Sequence, residues 1–124
     1  MQRNYAMRKA ADSRGRHAEG KAAEALEAEG WTVLARRQRT AAGELDLVAE
    51  RLGLLAFVEV KARATLAEAA IALGPRQRVR LMQAADAWLA ANPGHGEAGI
   101  RFDVMVVDAA GQVRRIADAF RLGD

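Results

Sequence analysis

Three acidic residues and one lysine lie within two short runs that are otherwise apolar. Residues 43–63 read GELDLVAERLGLLAFVEVKAR, and Glu44, Asp46, Glu59 and Lys61 interrupt the apolar pattern. Carboxylate oxygens are the ligands that Mg²⁺ and Mn²⁺ prefer, and such an ion polarises a phosphoryl group and lowers the pKa of bound water. A nearby lysine can orient that water or stabilise charge in the transition state. The segment therefore favours metal-assisted hydrolysis of a phosphate ester.

The two runs are predicted to form a β-hairpin. Residues 44–49 and 55–62 have strand-like composition, and Gly53 between them suits a tight turn. With this turn at the tip, Asp46 falls directly opposite Glu59. Opposed residues of an antiparallel pair project to the same side, with Cβ atoms about 4.5–5.5 Å apart. The hairpin therefore predicts that two carboxylates converge.

Alternation along each strand predicts which other side chains share this face. Glu44 and Val48 are expected to point the same way as Asp46. The residues between and beside them are expected to face the other side of the sheet: Leu45, Leu47 and Ala49. Lys61 is expected on the face of Glu59. Converging like charges destabilise a hairpin unless a cation offsets them, although an ordinary solvated hairpin with a charged face is the alternative.

The residues before the hairpin predict a helix and a strand. Small apolar residues recur at helical spacing over 16–29, and Gly30 is expected to end this first helix. Residues 31–35 are predicted to be a short strand, followed by a loop over 36–43.

The residues after the hairpin predict a second helix and further strands. The helix is expected over 75–91, from a proline to the residue before Asn-Pro. Residues 66–73 are compatible with either a helical turn or a mobile connection. Residues 101–108 form a strand apolar enough to be buried on both faces, and 113–120 an edge strand or tail. The order α-β-β-β-α-β indicates an α/β fold of three layers, a central mixed β-sheet flanked by α-helices.

Length and composition favour a single packed domain. The chain has 124 residues, of which 51% are hydrophobic and 28% charged. Residues 1–14 are predicted to be a flexible basic arm that precedes a domain over 15–124. Disulfides and thiolate metal sites are excluded because the chain has no cysteine. No apolar stretch suits a signal peptide or membrane span, so a cytoplasmic protein with no membrane partner is expected.

The charge pattern permits an anionic partner. The formal net charge is +3, and arginines cluster as RRQR at 36–39 and PRQRVR at 75–80. The second cluster lies at the predicted start of a helix, a favourable place for a phosphate. Two solvated faces would give the same pattern, so the clusters alone do not establish nucleic-acid binding.

The ordered motifs resemble those of a known family. GELDL followed by FVEVKAR resembles the catalytic signature of the PD-(D/E)xK nuclease superfamily, with Asp46 as the first acidic residue and 59–61 as the ExK element. More closely, six motifs resemble the YraN family of bacterial proteins: E-x-x-A-A-x-x-L-x-x-x-G-W at 19–31, GELDL at 43–47, FVEVKAR at 57–63, PRQR at 75–78, RFDV at 101–104 and AF at 119–120. That resemblance implies a restriction-endonuclease-like fold, similar to archaeal Holliday-junction resolvases.

The resemblance also implies roles for the residues of the hairpin. Asp46 and Glu59 match the residues that bind Mg²⁺ or Mn²⁺, with the carbonyl of Val60 as a third ligand. Lys61 matches the catalytic lysine. Glu44 is expected to anchor the loop or support the ligands from outside.

Residues outside the hairpin complete the implied site. Glu19 matches an acidic residue on the first helix, and Gln77 a polar residue on the second. Five arginines are expected to contact nucleic acid: Arg39, Arg63, Arg76, Arg78 and Arg80. The chain departs from the family pattern at Arg37, where an asparagine is expected.

These observations predict a metal-dependent endonuclease that hydrolyses phosphodiester bonds in DNA or RNA, including branched or structured substrates. Two alternatives stay open: a non-catalytic nucleic-acid-binding module on the same fold, and a protein-interaction domain. A homodimer is expected if the substrate is branched, because a two-fold axis places two sites on one junction.

Overall fold

The computed structural model describes residues 2–63, 65, 68 and 74–120 of the chain. Within these ranges the chain forms two helices and five strands: α1 (Gln2–Ala28), β1 (Thr32–Thr40), β2 (Gly43–Arg51), β3 (Leu54–Ala62), α2 (Pro75–Ala91), β4 (Gly99–Val107) and β5 (Val113–Phe120). Apart from Glu68, the connection predicted over 66–73 lies outside the described residues. Neither of these helices combines the length and apolarity needed to cross a membrane.

The strands form one mixed sheet in the order β1-β2-β3-β4-β5. Neighbouring strands are antiparallel except β3 and β4, which are parallel because α2 forms the crossover between them. Helices α1 and α2 pack on opposite faces of the sheet. The predicted three-layer α/β architecture is confirmed, and it is consistent with a restriction-endonuclease-like fold.

Aromatic packing fixes α2 on one face of the sheet. Leu81 and Trp88 of α2 lie in the same buried cluster as Phe57 of β3 and Phe102 of β4. The rings of Phe57 and Trp88 meet edge to face with centroids 5.8 Å apart, and those of Phe57 and Phe102 stack at 5.7 Å. Such pairs add to the stabilisation that burial provides. This packing holds α2 against β3 and β4.

Small residues bring α1 close to the other face of the sheet. Ala22, Ala23 and Leu26 are fully buried there. Because these residues follow Glu19 at helical spacing, Glu19 borders the buried stripe, and its side chain is only 14% exposed. Gly30 ends the helix with a φ of 90°, a conformation that glycine adopts without strain.

A buried carboxylate ties β4 and β5 to the end of α1. The side chain of Asp103 is 0% exposed, and its Oδ2 accepts hydrogen bonds from Arg101 Nη2 at 3.1 Å and from Arg115 Nη2 at 2.6 Å. Arg115 Nη1 also lies 2.7 Å from Glu29 Oε2. Both guanidinium groups lie over the ring of Trp31, at 5.1 and 4.9 Å from its centroid. The buried charge is therefore paired on two sides.

Several predicted elements are confirmed. Helix α2 begins at Pro75, its first helical residue, and ends at Ala91. Strands β2 and β3 form the predicted hairpin. Residues 102–107 of β4 are buried on both faces, and 113–120 form an edge strand rather than a tail.

The first helix is longer than the sequence predicts. It begins at Gln2, so the backbone of 2–14 is helical where a flexible arm was expected. This segment holds good helix formers and no proline. A glycine in a helix interior costs only about 1 kcal/mol relative to alanine. Gly15 and Gly20 are therefore not enough to end the helix.

The loop predicted over 36–43 is also wrong for most of its length, because β1 extends from Thr32 to Thr40. The backbone of this segment pairs with β2: Arg36 with Leu47, Gln38 with Leu45 and Arg39 with Glu44. Backbone pairing does not require apolar side chains, and β1 is an edge strand whose arginines reach solvent. Composition therefore misses the strand.

Candidate active site

The hairpin register predicted from the sequence is confirmed. Arg51 pairs with Leu54, and the β2–β3 pairing continues to Leu47 and Val58. One step further, the side chain of Asp46 takes the place of a backbone partner: its Oδ2 accepts a hydrogen bond of 2.9 Å from the N–H of Val60. The carboxylate therefore lies where the two strands part.

The predicted alternation of β2 is wrong at one point. Leu45 lies in the core layer of α2 with Val48, whereas Leu47 lies in the layer of α1, although the sequence places Leu45 and Leu47 on one face. The break in alternation falls at Asp46. On β1, the residue between the partners of Leu45 and Leu47 is Arg37, which has a φ of 48°. A left-handed residue kinks a strand locally, and such kinks recur next to active sites.

Three carboxylates meet at this irregularity. Oxygens of Glu19, Glu44 and Asp46 all lie within 4.8 Å of one another. Glu19 comes from α1, and its side chain is only 14% exposed, whereas Glu44 at the start of β2 is 38% exposed. Glu59 does not join this group of three as a fourth member, but its charge acts on Asp46.

Glu59 is instead held by a chain of contacts between β3 and α2. Lys61 Nζ lies 3.0 Å from Glu59 Oε1, and both side chains are largely buried. Gln77 Nε2 donates a hydrogen bond of 3.3 Å to the same oxygen. Gln77 Oε1 in turn accepts a hydrogen bond of 2.7 Å from Arg80 Nη2. These contacts fix the orientation of the carboxylate and of the ammonium group beside it.

Burial and neighbouring charges raise the pKa of Asp46 from 3.8 to about 7. Burial is the largest cause, followed by the charge of Glu59, and the charge of Glu19 adds to both. The N–H of Val60 and the charge of Lys61 act in the opposite direction and lower the pKa. A carboxylate that resists ionisation at neutral pH gains from a cation placed beside it.

The donor set fits a hard divalent cation. Glu19, Glu44 and Asp46 offer carboxylate oxygens from two elements within a small volume. Oxygen-only donor sets of this kind suit Mg²⁺ and Mn²⁺ and lack the nitrogen or sulfur ligands that zinc and copper prefer.

The structure brings together all five residues predicted to be catalytic: Glu19, Asp46, Glu59, Lys61 and Gln77. Val60 contacts Asp46 through its N–H, and the role of its carbonyl as a metal ligand stays a prediction.

The arginines predicted to contact nucleic acid lie on β1, directly after β3 and on α2. Arg39 of β1 pairs with Glu44 of β2, and Arg63 follows β3. The stem of Arg80 lies over Gly43, where a Cβ would come within 3.5 Å of it. Four of these five arginines are exposed, namely Arg39, Arg63, Arg76 and Arg80. Arg78 is half-buried. Their contact with nucleic acid stays a prediction.

Sequence reasoning missed two members of the cluster. Glu44 was expected only in a supporting role, although its position two residues before Asp46 was a signal for a shared site. Arg37 was noted only as a departure from a family pattern, yet it lies 3.9 Å from Glu19 and 3.8 Å from Glu44. No local pattern reveals this contact, because it depends on the kink in β1.

Fold and site together define an α/β protein of restriction-endonuclease-like architecture, with an acidic centre at the point where strands β2 and β3 separate. The profile of the Uncharacterised protein family UPF0102, the YraN family, matches residues 18–107, and the chain belongs to this family. The UPF0102 protein of Granulibacter bethesdensis is 64% identical over 110 residues, covering 89% of this chain and 70% of the relative. The UPF0102 protein of Bradyrhizobium diazoefficiens is 50% identical, covering 91% of this chain and 85% of the relative. A UPF0102 protein of Rhodopseudomonas palustris is 55% identical, covering 81% of this chain and 76% of the relative.

Proposed function

We propose that the protein is a Mg²⁺- or Mn²⁺-dependent nuclease that hydrolyses phosphodiester bonds of DNA or RNA. The observation that carries this proposal is the position of Asp46. Its carboxylate is partly buried, its pKa is raised to about 7, and it lies within 4.8 Å of the carboxylates of Glu19 and Glu44. A protein gains no stability from such a cluster, and perturbed acids of this kind concentrate at functional sites.

The acidic residues divide into two roles. Asp46, Glu19 and Glu44 would hold the metal, which when bound would polarise the scissile phosphate and lower the pKa of an attacking water. Lys61 and Gln77 both contact Oε1 of Glu59. The described residues donate no hydrogen bond to its Oε2.

Lys61 is the residue placed to act on the reacting groups. Its ammonium group is held 3.0 Å from Glu59, and its side chain is 15% exposed, so it is fixed but still accessible. A fixed ammonium group can donate a hydrogen bond to a phosphate oxygen or orient a water for attack. Gln77 positions this pair through Glu59.

Arginines beside the cluster support a polyanionic substrate. Arg76 and Arg80 are exposed on the first turns of α2, whose N-terminus favours negative charge. Arg80 is connected to Glu59 through Gln77, so a phosphate bound to this surface would lie next to the acidic residues.

Cleavage assays with matched variants test the proposal. Purified protein is incubated with labelled duplex, branched, flapped and single-stranded DNA and RNA in Mg²⁺, Mn²⁺ or EDTA. We expect metal-dependent cleavage that falls at least about 100-fold in Asp46→Asn and Lys61→Met. Asp86→Asn, an exposed acid on α2, is the control and should cleave as the wild type does. Absence of cleavage with every substrate and both metals would contradict the proposal.

The exposed arginines also favour a second candidate, a module that binds nucleic acid without cutting it. In that case binding survives Asp46→Asn, whereas Arg76→Gln with Arg80→Gln weakens binding and reduces its salt dependence. Gel-shift titrations at two salt concentrations, combined with the cleavage assays, separate the two candidates.

A further inference from the structure

Arg37 places a positive charge against the acidic cluster. Its Nη1 lies 3.9 Å from Glu19 Oε2 and its Nε lies 3.8 Å from Glu44 Oε1. These two carboxylates belong to the same group of three as Asp46. The guanidinium therefore lies next to two of the three residues whose oxygens suit a divalent cation.

The backbone of β1 is distorted at the residue that makes these contacts. Arg37 has a φ of 48°, and the residues on either side of it, Arg36 and Gln38, keep regular partners on β2. A non-glycine residue in this conformation is strained, so surrounding contacts must hold it there. The distortion lies opposite Asp46, where the alternation of β2 also breaks.

The neighbouring arginine shows that this placement is specific. Arg36 is also on β1, but its Nη2 lies 3.1 Å from Oε1 of Glu27, an exposed residue outside the acidic cluster. Arg36 is 54% exposed, whereas Arg37 is 36% exposed. Consecutive arginines thus serve different partners, and of the two it is Arg37 that contacts the candidate metal ligands.

We propose that Arg37 is an internal counter-ion of the cluster and that a divalent cation must displace it from Glu19 and Glu44 in order to bind. The inference rests on the proposed function, because it concerns the metal site of that function. Three carboxylates repel one another, and the guanidinium offsets part of this repulsion when no metal is present. A metal ion and Arg37 compete for the same oxygens, so Arg37 lowers the affinity of the protein for metal.

Calorimetric titration of Mn²⁺ at pH 8 into the wild type, Arg37→Gln, Arg37→Asn and Arg36→Gln tests the inference. Asparagine is included because it tolerates left-handed backbone better than most residues, which protects against a folding defect. We expect both Arg37 variants to bind Mn²⁺ about three- to tenfold more tightly than the wild type, as two partly exposed ion pairs would predict. Arg36→Gln should bind as the wild type does.

Thermal unfolding gives a second readout. In EDTA at pH 8 Arg37→Gln should melt below the wild type, because the carboxylates lose their counter-ion. Saturating Mn²⁺ should raise the melting temperature of both Arg37 variants by more than it raises that of the wild type. If the wild type binds Mn²⁺ and the Arg37 variants bind it equally or more weakly, the proposed role of Arg37 is wrong, whereas the metal-dependent function is not affected. If neither the wild type nor the variants bind Mn²⁺, both the inference and the metal-dependent function fail.

Discussion

Asp46 carries a charge that opposes folding, because burial and the charges of Glu59 and Glu19 all disfavour its ionised form. The N–H of Val60 and the ammonium group of Lys61 offset only part of this cost. Natural proteins keep such residues where function requires them and compensate elsewhere in the fold. The stability of the protein should therefore depend on the ionisation of this one residue.

Replacement of Asp46 by asparagine should stabilise the metal-free protein at alkaline pH. The pKa is 3.8 in an unperturbed chain and about 7 in the folded protein, so the folded state binds the proton more tightly. Unfolding free energy consequently falls as the pH rises from about 4 to 7. The neutral amide of the variant avoids this loss, and its oxygen can still accept the hydrogen bond from Val60. We expect a gain of a few kcal/mol at pH 8 in EDTA, and a much smaller one at about pH 4.5, measured by urea unfolding.

Asp86→Asn is the matched control for this measurement, because Asp86 is exposed on α2. It should leave the unfolding free energy unchanged at both pH values. A decrease in stability for Asp46→Asn at pH 8 would show that the charged carboxylate is already compensated within the protein.

At the scale of elements, strong local signals gave correct bounds. Helix α2 begins at Pro75, because proline suits the first helical position, and ends before the Asn-Pro breaker. The hairpin register follows from the short turn at Gly53, which fixes every pair that comes after it. In both cases the residues that set the bound are adjacent in sequence.

Elements stabilised by distant contacts were not predicted. Residues 36–40 have no apolar alternation, and they form a strand because β2 supplies backbone partners. The change of face at Asp46 lies opposite the left-handed backbone of Arg37, and arginine has no preference that would indicate such a backbone. Tertiary contacts override local preference at both places.

Glu50 connects the hairpin to the loop between α2 and β4. Its carboxylate accepts a hydrogen bond of 2.9 Å from the N–H of Gly96 and lies 3.0 Å from Nδ1 of His95. The pKa of Glu50 is lowered from 4.5, chiefly by the hydrogen bond from Gly96 and to a smaller extent by the contact with His95. Because the folded pKa is below the unfolded value, the stabilisation is present above pH 4.5 and is lost as the pH falls through the folded pKa.

Glu50→Gln should therefore destabilise the protein by about 1 kcal/mol at pH 7, the usual contribution of such hydrogen bonds. Urea unfolding from pH 7 to about pH 3 should show a constant difference from the wild type above pH 4.5, and a difference that narrows below it as the wild-type carboxyl becomes protonated. Glu97→Gln, an exposed residue of the same loop, is the control and should have no effect. A difference that stays constant with pH would mean that the contact does not depend on the charge of Glu50.

At the scale of the whole molecule, the candidate site exists only when four elements meet. Glu19 comes from α1, Asp46 from β2, Glu59 from β3 and Gln77 from α2. Motif resemblance predicted the identity of these residues, because it depends on residue type and order. It did not predict that Glu44 and Glu19, rather than Glu59, would lie in one group with Asp46. That grouping depends on how closely α1 packs on the sheet and on where the strands part.

The Asp103 network joins β4, β5 and the end of α1 at a buried carboxylate. Asp103→Ala should cost about 3 kcal/mol, because it removes the buried partner that Arg101 and Arg115 share, while Arg115 keeps its contact with Glu29. Asp103→Leu combined with Arg101→Met and Arg115→Met should cost much less, since it removes the carboxylate together with both of its cationic partners and keeps the volume filled. Both variants are compared with the wild type by urea unfolding at pH 7. A cost below about 1 kcal/mol for Asp103→Ala would show that water replaces the carboxylate, in which case Arg101 and Arg115 hold the strands through Trp31 rather than through charge.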